Sequence, residues 1–223
     1  VLQKLAEGDL LIIGYPNNPT GYLVARDELL DYWQQRNLQR RCTLVVDEAF
    51  LDFLPQGNQL SFRTEACQRR DIIVTGSLTK IFALPGLRVG YLLGHPEHIH
   101  AAAELQPTWS VNAFAQIAVE VAVHDIAYLY QTRDWLTQAR RTFIDRLSAL
   151  DGVRPLPGAA NFLLIDVSGT GVTASEWQER LAAKGILVRS GTSFEGLGDH
   201  YLRVAIRLPE ENDRLVEAMR GYL

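Results

Sequence analysis

Three short stretches place reactive side chains at the ends of apolar runs. GYPNNPTG (14–21) follows LLII (10–13) and sets two asparagines, two prolines and a threonine between two glycines. A plain turn needs neither two amide side chains nor two rigid rings, so the corner reads as one that holds an amide still. Asp47 ends the run TLVVD (43–47), and SLTK (77–80) follows DIIVTG (71–76). A carboxylate at a strand end can bind a cation, cap a helix or hold a protonated ring nitrogen. Lys80, followed by the apolar loop IFALPG, reads either as an exposed loop lysine or as an amine that sheds its charge and attacks carbonyls. Arg88, in GLRVGY, offers a planar fork for phosphate or carboxylate. Successive strand ends thus present Asn18, Asp47, Ser77 and Lys80, with Arg88 close behind. Amide, carboxylate, hydroxyl, amine and guanidinium on one edge suit an anionic, nitrogen-containing aromatic ligand that carries an aldehyde.

The elements that must position these groups alternate. Strand 10–13 precedes a helix over 25–39 with Asp27, Glu28 and Asp31 near its start. Strand 43–47, a Gly/Pro/Asn loop (55–61), strand 71–76 and strand 88–94 follow. Continuous Val/Ile/Leu strands separated by helices predict a mostly parallel sheet covered on both faces, with ligands at the carboxyl ends of its strands. Apolar residues at three and four spacing predict one long helical stretch over about 110–149, stopped by Gly152. Strands near 153–156 and 161–167, a helix over 173–184, strands 186–189 and 201–206, and a helix over 209–222 then form a smaller α+β unit. The expected division is 1–108 for the larger domain, 109–150 for the connecting helix and 151–223 for the small domain.

Composition narrows the class. The chain has 223 residues, 47% hydrophobic and 22% charged, with a net charge of −4. It is long enough for a substantial core, and it lacks the clustered basic face of a nucleic-acid binder. The one basic cluster, RNLQRR (36–41), reads as a helix C-terminus, where cations are favoured. No apolar stretch reaches membrane-spanning length, and VLQKLAEGD lacks a signal-peptide pattern. Cys42 and Cys67 sit in no metal-like spacing, which predicts a reduced, cytoplasmic setting. The chain starts without Met, in what reads as the tail of a helix, so a fragment of a longer protein is expected. The five histidines (95, 98, 100, 124 and 200) show no ligand-like clustering, and no metal site is expected.

NPTG, DEAF, SLTK and GLRVGY, in this order and spacing, resemble the fold type I pyridoxal-phosphate enzymes, the aspartate-aminotransferase superfamily of class I/II. The resemblance implies an α/β fold with a mostly parallel sheet in the large domain and a smaller α+β C-terminal domain, with the N-terminal part of the family fold lying ahead of this chain. That part would include a Gly-rich phosphate loop and an aromatic stacked on the cofactor ring. The resemblance implies pyridoxal 5'-phosphate as cofactor. Lys80 would form the Schiff base. Asp47 would pair with the pyridinium nitrogen, so that the ring acts as an electron sink. Asn18 would donate to the phenolic oxygen, and Ser77 and Arg88 would bind the phosphate. Arg203, in YLRVAIR, falls where the family keeps an arginine for the substrate α-carboxylate. A homodimer is expected for the intact enzyme, with no nucleic-acid or membrane partner.

Within the superfamily, Phe50 stands in DEAFLDF where most members carry a tyrosine on the cofactor's oxygen, and it cannot make that hydrogen bond. PTWSVNAFAQIAVEVA (107–122) and ILVRSGTSFEGLGDHYLRVAIR (186–207) resemble most closely the threonine-phosphate decarboxylases of cobalamin biosynthesis, which are related to the histidinol-phosphate aminotransferases. That resemblance implies decarboxylation of L-threonine O-3-phosphate to (R)-1-amino-2-propanol phosphate. A substrate with both a carboxylate and a phosphate needs at least two cationic clamps. Arg189, Arg203 and Arg207 lie on the late strands, with surface roles as the alternative reading for each. Arg189 is expected on the phosphate and Arg203 on a second anion. Asn161, in AANFLLI, matches a position near the substrate in relatives. Trp109, Ser110 and Asn112 belong to a stretch the subfamily shares, Asn112 also reading as a helix cap.

Three other readings stand beside this one. An aminotransferase acting on a phosphorylated substrate differs only in which bond at Cα is broken. S77-L-T-K80 fits the SxxK of penicillin-recognising serine hydrolases, with S110-V-N112 and R189-S-G-T192 as faint second and third elements, but that reading leaves NPTG and Asp47 unexplained. The last reading is a non-catalytic fragment.

Overall fold

A computed structural model describes residues 5–37 and 41–223. The chain divides into two compact units. One comprises the residues up to Pro16 together with Leu23–Thr132, the other Asn17–Tyr22 together with Arg133–Leu223.

The first unit is built on a four-stranded sheet: β1 (Leu10–Gly14), β2 (Thr43–Asp47), β3 (Ile72–Ser77) and β4 (Gly90–Leu93), side by side in that order. The first three are parallel, in the register Ile12↔Val45 and Val46↔Val74. The fourth runs antiparallel, with Ser77 opposite Gly90. Between β3 and β4 lie only α4 (Leu78–Ile81) and one 3-10 turn at Pro85–Leu87. So short a link cannot carry the chain back along the sheet, and β4 returns beside β3 in the opposite sense.

Period-two alternation sets the faces of the strands. Leu44, Val46, Ile72 and Val74 are fully buried on one face. The other face is less covered than the continuous apolar runs predict: Leu10 and Ile12, on the edge strand, are 58% and 64% exposed. Helix α1 (Arg26–Asn37) buries Trp33, whose Nε1 donates to Asp71 Oδ2 at 3.0 Å. Of the basic cluster 36–41, residues 38–40 lie outside the described residues.

Within 55–71 the chain forms two short helices, α2 (Gly57–Leu60) and α3 (Arg63–Gln68), the first where the composition predicts only loop. Helix α5 (Pro96–Leu105), which apolar periodicity does not signal, starts with Pro at its first position and a His95 side-chain cap. The predicted single helix over 110–149 is two, α6 (Ala113–Ala122) and α7 (Ile126–Ser148). Asp125 makes the break: its carboxylate accepts the Tyr128 N–H at 3.0 Å and opens a new helix.

The second unit carries an antiparallel sheet in the order β5 (Arg154–Pro155), β6 (Phe162–Asp166), β8 (Tyr201–Ala205), β7 (Arg189–Ser190). Helices α8 (Ala174–Ala183) and α9 (Pro209–Arg220) complete it. Trp177, Leu181, Val216 and Met219 from the helices, with Leu163, Ile165 and Leu202 from the strands, are fully buried and form the core. Thr173 and Glu176 close a reciprocal capping box at the start of α8. The strand predicted over 186–189 pairs only at Arg189–Ser190.

Candidate active site

In the first unit, β1, β2 and β3 end together at Gly14, Asp47 and Ser77, with Gly14 opposite Asp47 and Asp47 opposite Thr75. This is the carboxyl edge of the parallel strands, where open α/β sheets hold ligands. Asp47 is half-buried, and its Oδ1 accepts the Ala49 N–H at 3.0 Å, which bends the chain sharply after the strand. Oδ2 accepts no hydrogen bond among the described residues. The bend carries Phe50 toward the next strand end, where Lys80 Nζ lies 5.9 Å from the centre of its ring. Ser77 stands at the N-cap position of α4, where its hydroxyl makes no capping bond and pairs instead with Thr79 Oγ1 at 2.8 Å.

Two details depart from expectation. The apolar residue after Lys80, Ile81, turns inward to 2% exposure and leaves the lysine exposed, so its neighbours do not enclose it. Arg88 is not in a strand; β4 starts at Gly90. It sits in the left-handed region (φ 52°), exposed, with Nη1 donating to Pro85 O at 3.3 Å. The guanidinium is thus raised on a turn rather than anchored in the sheet.

The donor set fits pyridoxal phosphate. One carboxylate oxygen without a partner among the described residues, an exposed primary amine beside an aromatic ring and the Ser77 hydroxyl stand at or just past neighbouring strand ends, with the Arg88 guanidinium exposed on the turn ahead of β4.

In the second unit, the NPTG corner is braced by its own side chains. Thr20 Oγ1 donates to Asn17 Oδ1 at 2.9 Å, and the Gly21 N–H donates to Asn17 O at 2.7 Å. Gly21 has φ +69°, and a Cβ there would lie 3.1 Å from Gly158 Cα, so a side chain is excluded twice over. The Ala159 N–H donates to Gly21 O, while Arg140 Nη2 donates to the carbonyls of Ala159 and Ala160. This clamp leaves Asn18 exposed, its Oδ1 accepting from Arg203 Nη1 at 2.5 Å and its amide nitrogen free to donate.

Arg203 and Arg189 face each other directly across β8 and β7. Both guanidinium groups lie against the Phe194 ring, at 5.9 and 5.6 Å from its centre, and Arg203 lies 5.3 Å from that of Phe162. Arg189 Nε also donates to Ser193 Oγ at 2.8 Å. Among the described residues no carboxylate pairs with either. Burial first, and then the charge of Arg189, lowers the pKa of Arg203 below the usual arginine range. Like charges opposed across strands repel, and an anion lying between the two groups would relieve that repulsion. Arg207 differs: it is exposed and paired with Glu211 four residues on, at 2.6 Å. That is the geometry of a surface ion pair, the alternative reading given for it. The Asn161 carbonyl accepts the Ile206 N–H at 3.0 Å, at the end of β6. Asn112 caps α6, accepting the Ala115 N–H, and Trp109 is 93% exposed at φ 63°. The described histidines form no metal-binding group with Cys, Asp or Glu, and no helix of the described residues is long and apolar enough to cross a membrane.

Sequence reasoning missed Glu48, Arg63 and Tyr91. Glu48 is fully buried directly after Asp47, and its carboxylate accepts from Ser61 Oγ and from the Phe62 N–H, both at 2.7 Å. The signal was present: in a strand that alternates, a charged residue one step past an outward Asp47 must point inward, and a buried carboxylate requires partners.

The sequence profile for "Aminotransferase class I and II" matches residues 1–219. The threonine-phosphate decarboxylase of Salmonella typhimurium is 38% identical over 216 residues, which is 96% of this chain and 58% of that protein. The histidinol-phosphate aminotransferase of Methanoculleus marisnigri is 35% identical over 207 residues, 92% of this chain and 54% of that protein. The crystal structure of the histidinol-phosphate aminotransferase from Clostridium acetobutylicum superposes with a TM-score of 0.86 at 28% identity, over 96% of this chain and 63% of that one. The chain therefore spans a little over half the length of the curated relatives it matches. The SxxK reading falls here: SLTK does open a helical turn, but both sequence and fold belong elsewhere. With its mixed sheet, its strand-end carboxylate and lysine, and a profile match along nearly its whole length, this chain belongs to the aminotransferase class I and II family.

Proposed function

We propose that this chain is the larger part of a pyridoxal-phosphate enzyme that decarboxylates L-threonine O-3-phosphate, giving (R)-1-amino-2-propanol phosphate and carbon dioxide. The observation that carries the reading is the cross-strand pair Arg189 and Arg203, two guanidinium groups held against one phenylalanine ring with no carboxylate partner among the described residues. A phosphorylated amino acid brings two anions to such a pair. The 38% identity to a threonine-phosphate decarboxylase points the same way.

The chain's own groups have distinct tasks in this proposal. Lys80 Nζ holds the cofactor covalently. Asp47 Oδ2 would accept a hydrogen bond from the protonated ring nitrogen and so keep a positive charge there, while the Asn18 amide would donate to the phenolic oxygen. Ser77 and Arg88 take the cofactor phosphate. Bound in this way, pyridoxal phosphate supplies a sink for the electron pair of the bond broken at Cα. Arg189 grips the substrate phosphate and Arg203 a second anion, and these two anchors turn the Cα–carboxylate bond into the breaking position. Lys80 Nζ, released when the substrate amine takes its place on the cofactor, would then deliver a proton to Cα where the carboxylate has left. Phe50 makes no hydrogen bond to the phenolic oxygen. Asn161 lines the substrate side, and Arg207 keeps its surface pairing. The intact protein is a homodimer in this reading, and the exposed Leu105, Trp109, Phe114, Ile117 and Val121 are apolar surface that a second copy could cover.

The test is incubation with pyridoxal phosphate, borohydride reduction and peptide mapping, followed by threonine phosphate turnover in the full-length protein. A pyridoxyl mass on Lys80 and released carbon dioxide are expected. A keto product formed only with 2-oxoglutarate would move the chain to the aminotransferases, and no label on Lys80 would end the cofactor reading. Truncating one partner of a charge pair costs about 2–4 kcal/mol, so Arg189→Ala should lower kcat/KM for threonine phosphate by roughly 30- to 1000-fold. Near-normal turnover in that variant would remove the phosphate clamp.

A further inference from the structure

A polar chain, fully buried at Glu48 and part-buried beyond it, runs between the strand end that carries Asp47 and the strand that leads to Lys80. It starts at Glu48, the next residue after Asp47, fully buried and accepting from Ser61 Oγ and the Phe62 N–H at 2.7 Å. Arg63 adds a charge without a hydrogen bond, its Nε 3.5 Å from Glu48 Oε2. Arg63 Nη2 reaches on to Asp52 Oδ1 at 2.9 Å and to the Tyr91 hydroxyl at 2.6 Å, and the guanidinium stacks 5.5 Å from the Tyr91 ring centre. Tyr91 stands on β4 opposite Gly76, and its ring fills the space a Gly76 side chain would occupy, with Cζ 2.1 Å from a Cβ built there. Gly76 directly precedes Ser77, which stands at the N-cap position of the turn that carries Lys80.

We propose that Glu48, Arg63 and Tyr91 are positioning residues: a polar network, buried at Glu48 and part-buried beyond it, that fixes the spacing of the Asp47 and Lys80 strand ends and so sets how a bound cofactor is held between carboxylate and amine. The inference rests on the pyridoxal-phosphate reading given above. None of the three touches the cofactor; each acts through the neighbour it holds. Glu48 faces inward from the same bend that turns Asp47 outward, so any shift of its carboxylate moves Asp47. Tyr91 reaches β3 through Gly76, so a shift of its ring moves Ser77 and the turn behind it. The charged and titratable groups around Glu48 are Arg63, Asp52 and Tyr15. A network needed only for stability would be expected to lie anywhere in the core. This one ends, at both its termini, one residue from a group assigned to the cofactor.

The experiment uses the intact protein with pyridoxal phosphate and compares wild type, Glu48→Gln and Tyr91→Phe. Each is scored by cofactor affinity and by the pH titration of the visible band, with urea unfolding measured alongside. Glu48→Gln turns an acceptor into an amide donor toward Arg63. It should weaken cofactor binding at least 10-fold and shift the midpoint of the band's titration by half a unit or more, while borohydride still labels Lys80. Tyr91→Phe keeps the ring on Gly76 and removes only the hydroxyl, so a smaller shift in the same direction is expected in a protein that folds normally. If Glu48→Gln does not fold, Tyr91→Phe decides. Wild-type affinity and titration in the folded variants, with loss of stability alone, would overturn the positioning role and leave the cofactor reading standing. No band in the wild-type protein would overturn both.

Discussion

Gly76→Ala isolates the packing that joins β3 to β4. A Cβ at this position would lie 2.1 Å from Tyr91 Cζ and 2.3 Å from its hydroxyl oxygen, against an ordinary contact of about 3.5–4 Å. The β3 backbone is held on both sides by β2 and β4, so the ring must move, by roughly 1.5 Å. Tyr91 then loses its 2.6 Å hydrogen bond to Arg63, a bond to a charged group worth about 1.5–3 kcal/mol. Repacking the ring adds about 1–3 kcal/mol of strain. The single substitution should therefore cost about 3–5 kcal/mol by urea unfolding. Tyr91→Ala removes both ring and hydroxyl and is itself destabilising, but it clears the space. In that background Gly76→Ala should cost no more than about 1 kcal/mol, giving a coupling of about 2–4 kcal/mol between two positions on neighbouring strands. Equal cost in both backgrounds would show that the ring does not fill the space above Gly76, and the link from Arg63 to β3 would be lost with it.

Two further outcomes follow from named groups. The Tyr15 hydroxyl is buried with no hydrogen-bond partner among the described residues, so Tyr15→Phe should leave stability at pH 7 unchanged or raise it by up to about 1–2 kcal/mol. Burial first, then Glu48, pushes the Tyr15 pKa up to about 12 from 10.0. The unfolded chain ionises first, so the stability tied to the neutral phenol is complete below pH 10 and is lost as pH rises from 10 toward 12. The phenylalanine variant should thus gain up to about 3 kcal/mol over wild type across that window, and equal alkaline melting curves would refute the burial argument. In the second unit, Thr173→Ala removes the capping box of α8 and should cost about 1 kcal/mol, read as a shift in the urea midpoint at unchanged slope.

Much of the fold was legible because burial follows simple periods. TLVVD and DIIVTG read as strands, and their alternate residues Leu44, Val46, Ile72 and Val74 are fully buried. The fold class follows from such runs together with four motifs in order. What periodicity could not resolve was where a polar residue overrides it. Asp125 sits in an unbroken apolar rhythm, yet it caps α7 and ends the predicted single helix. Arg88 reads as a strand residue because β-prone residues follow it, but a left-handed turn precedes β4. Arg207 lies just past a strand that carries Arg203, and only the three-dimensional pairing with Glu211 separates the two.

The site was legible as a set of residue types but not as a supported structure. Lys80 and Asp47 announce themselves because amine and carboxylate at strand ends have few bland uses together. Glu48, Arg63 and Tyr91 announce nothing, since each partner comes from a different element: a strand end, a short helix and an antiparallel edge strand. Their connection exists only after β4 has folded back beside β3, which sequence runs alone do not dictate. The physical consequence is asymmetric. A carboxylate such as Glu48 is costly to bury, and it is tolerated here because Ser61 and Phe62 donate to it and the Arg63 charge lies 3.5 Å away. Removing any one donor leaves the charge under-satisfied one residue from Asp47, so strain at this point acts first on the strand end that the proposed cofactor needs fixed.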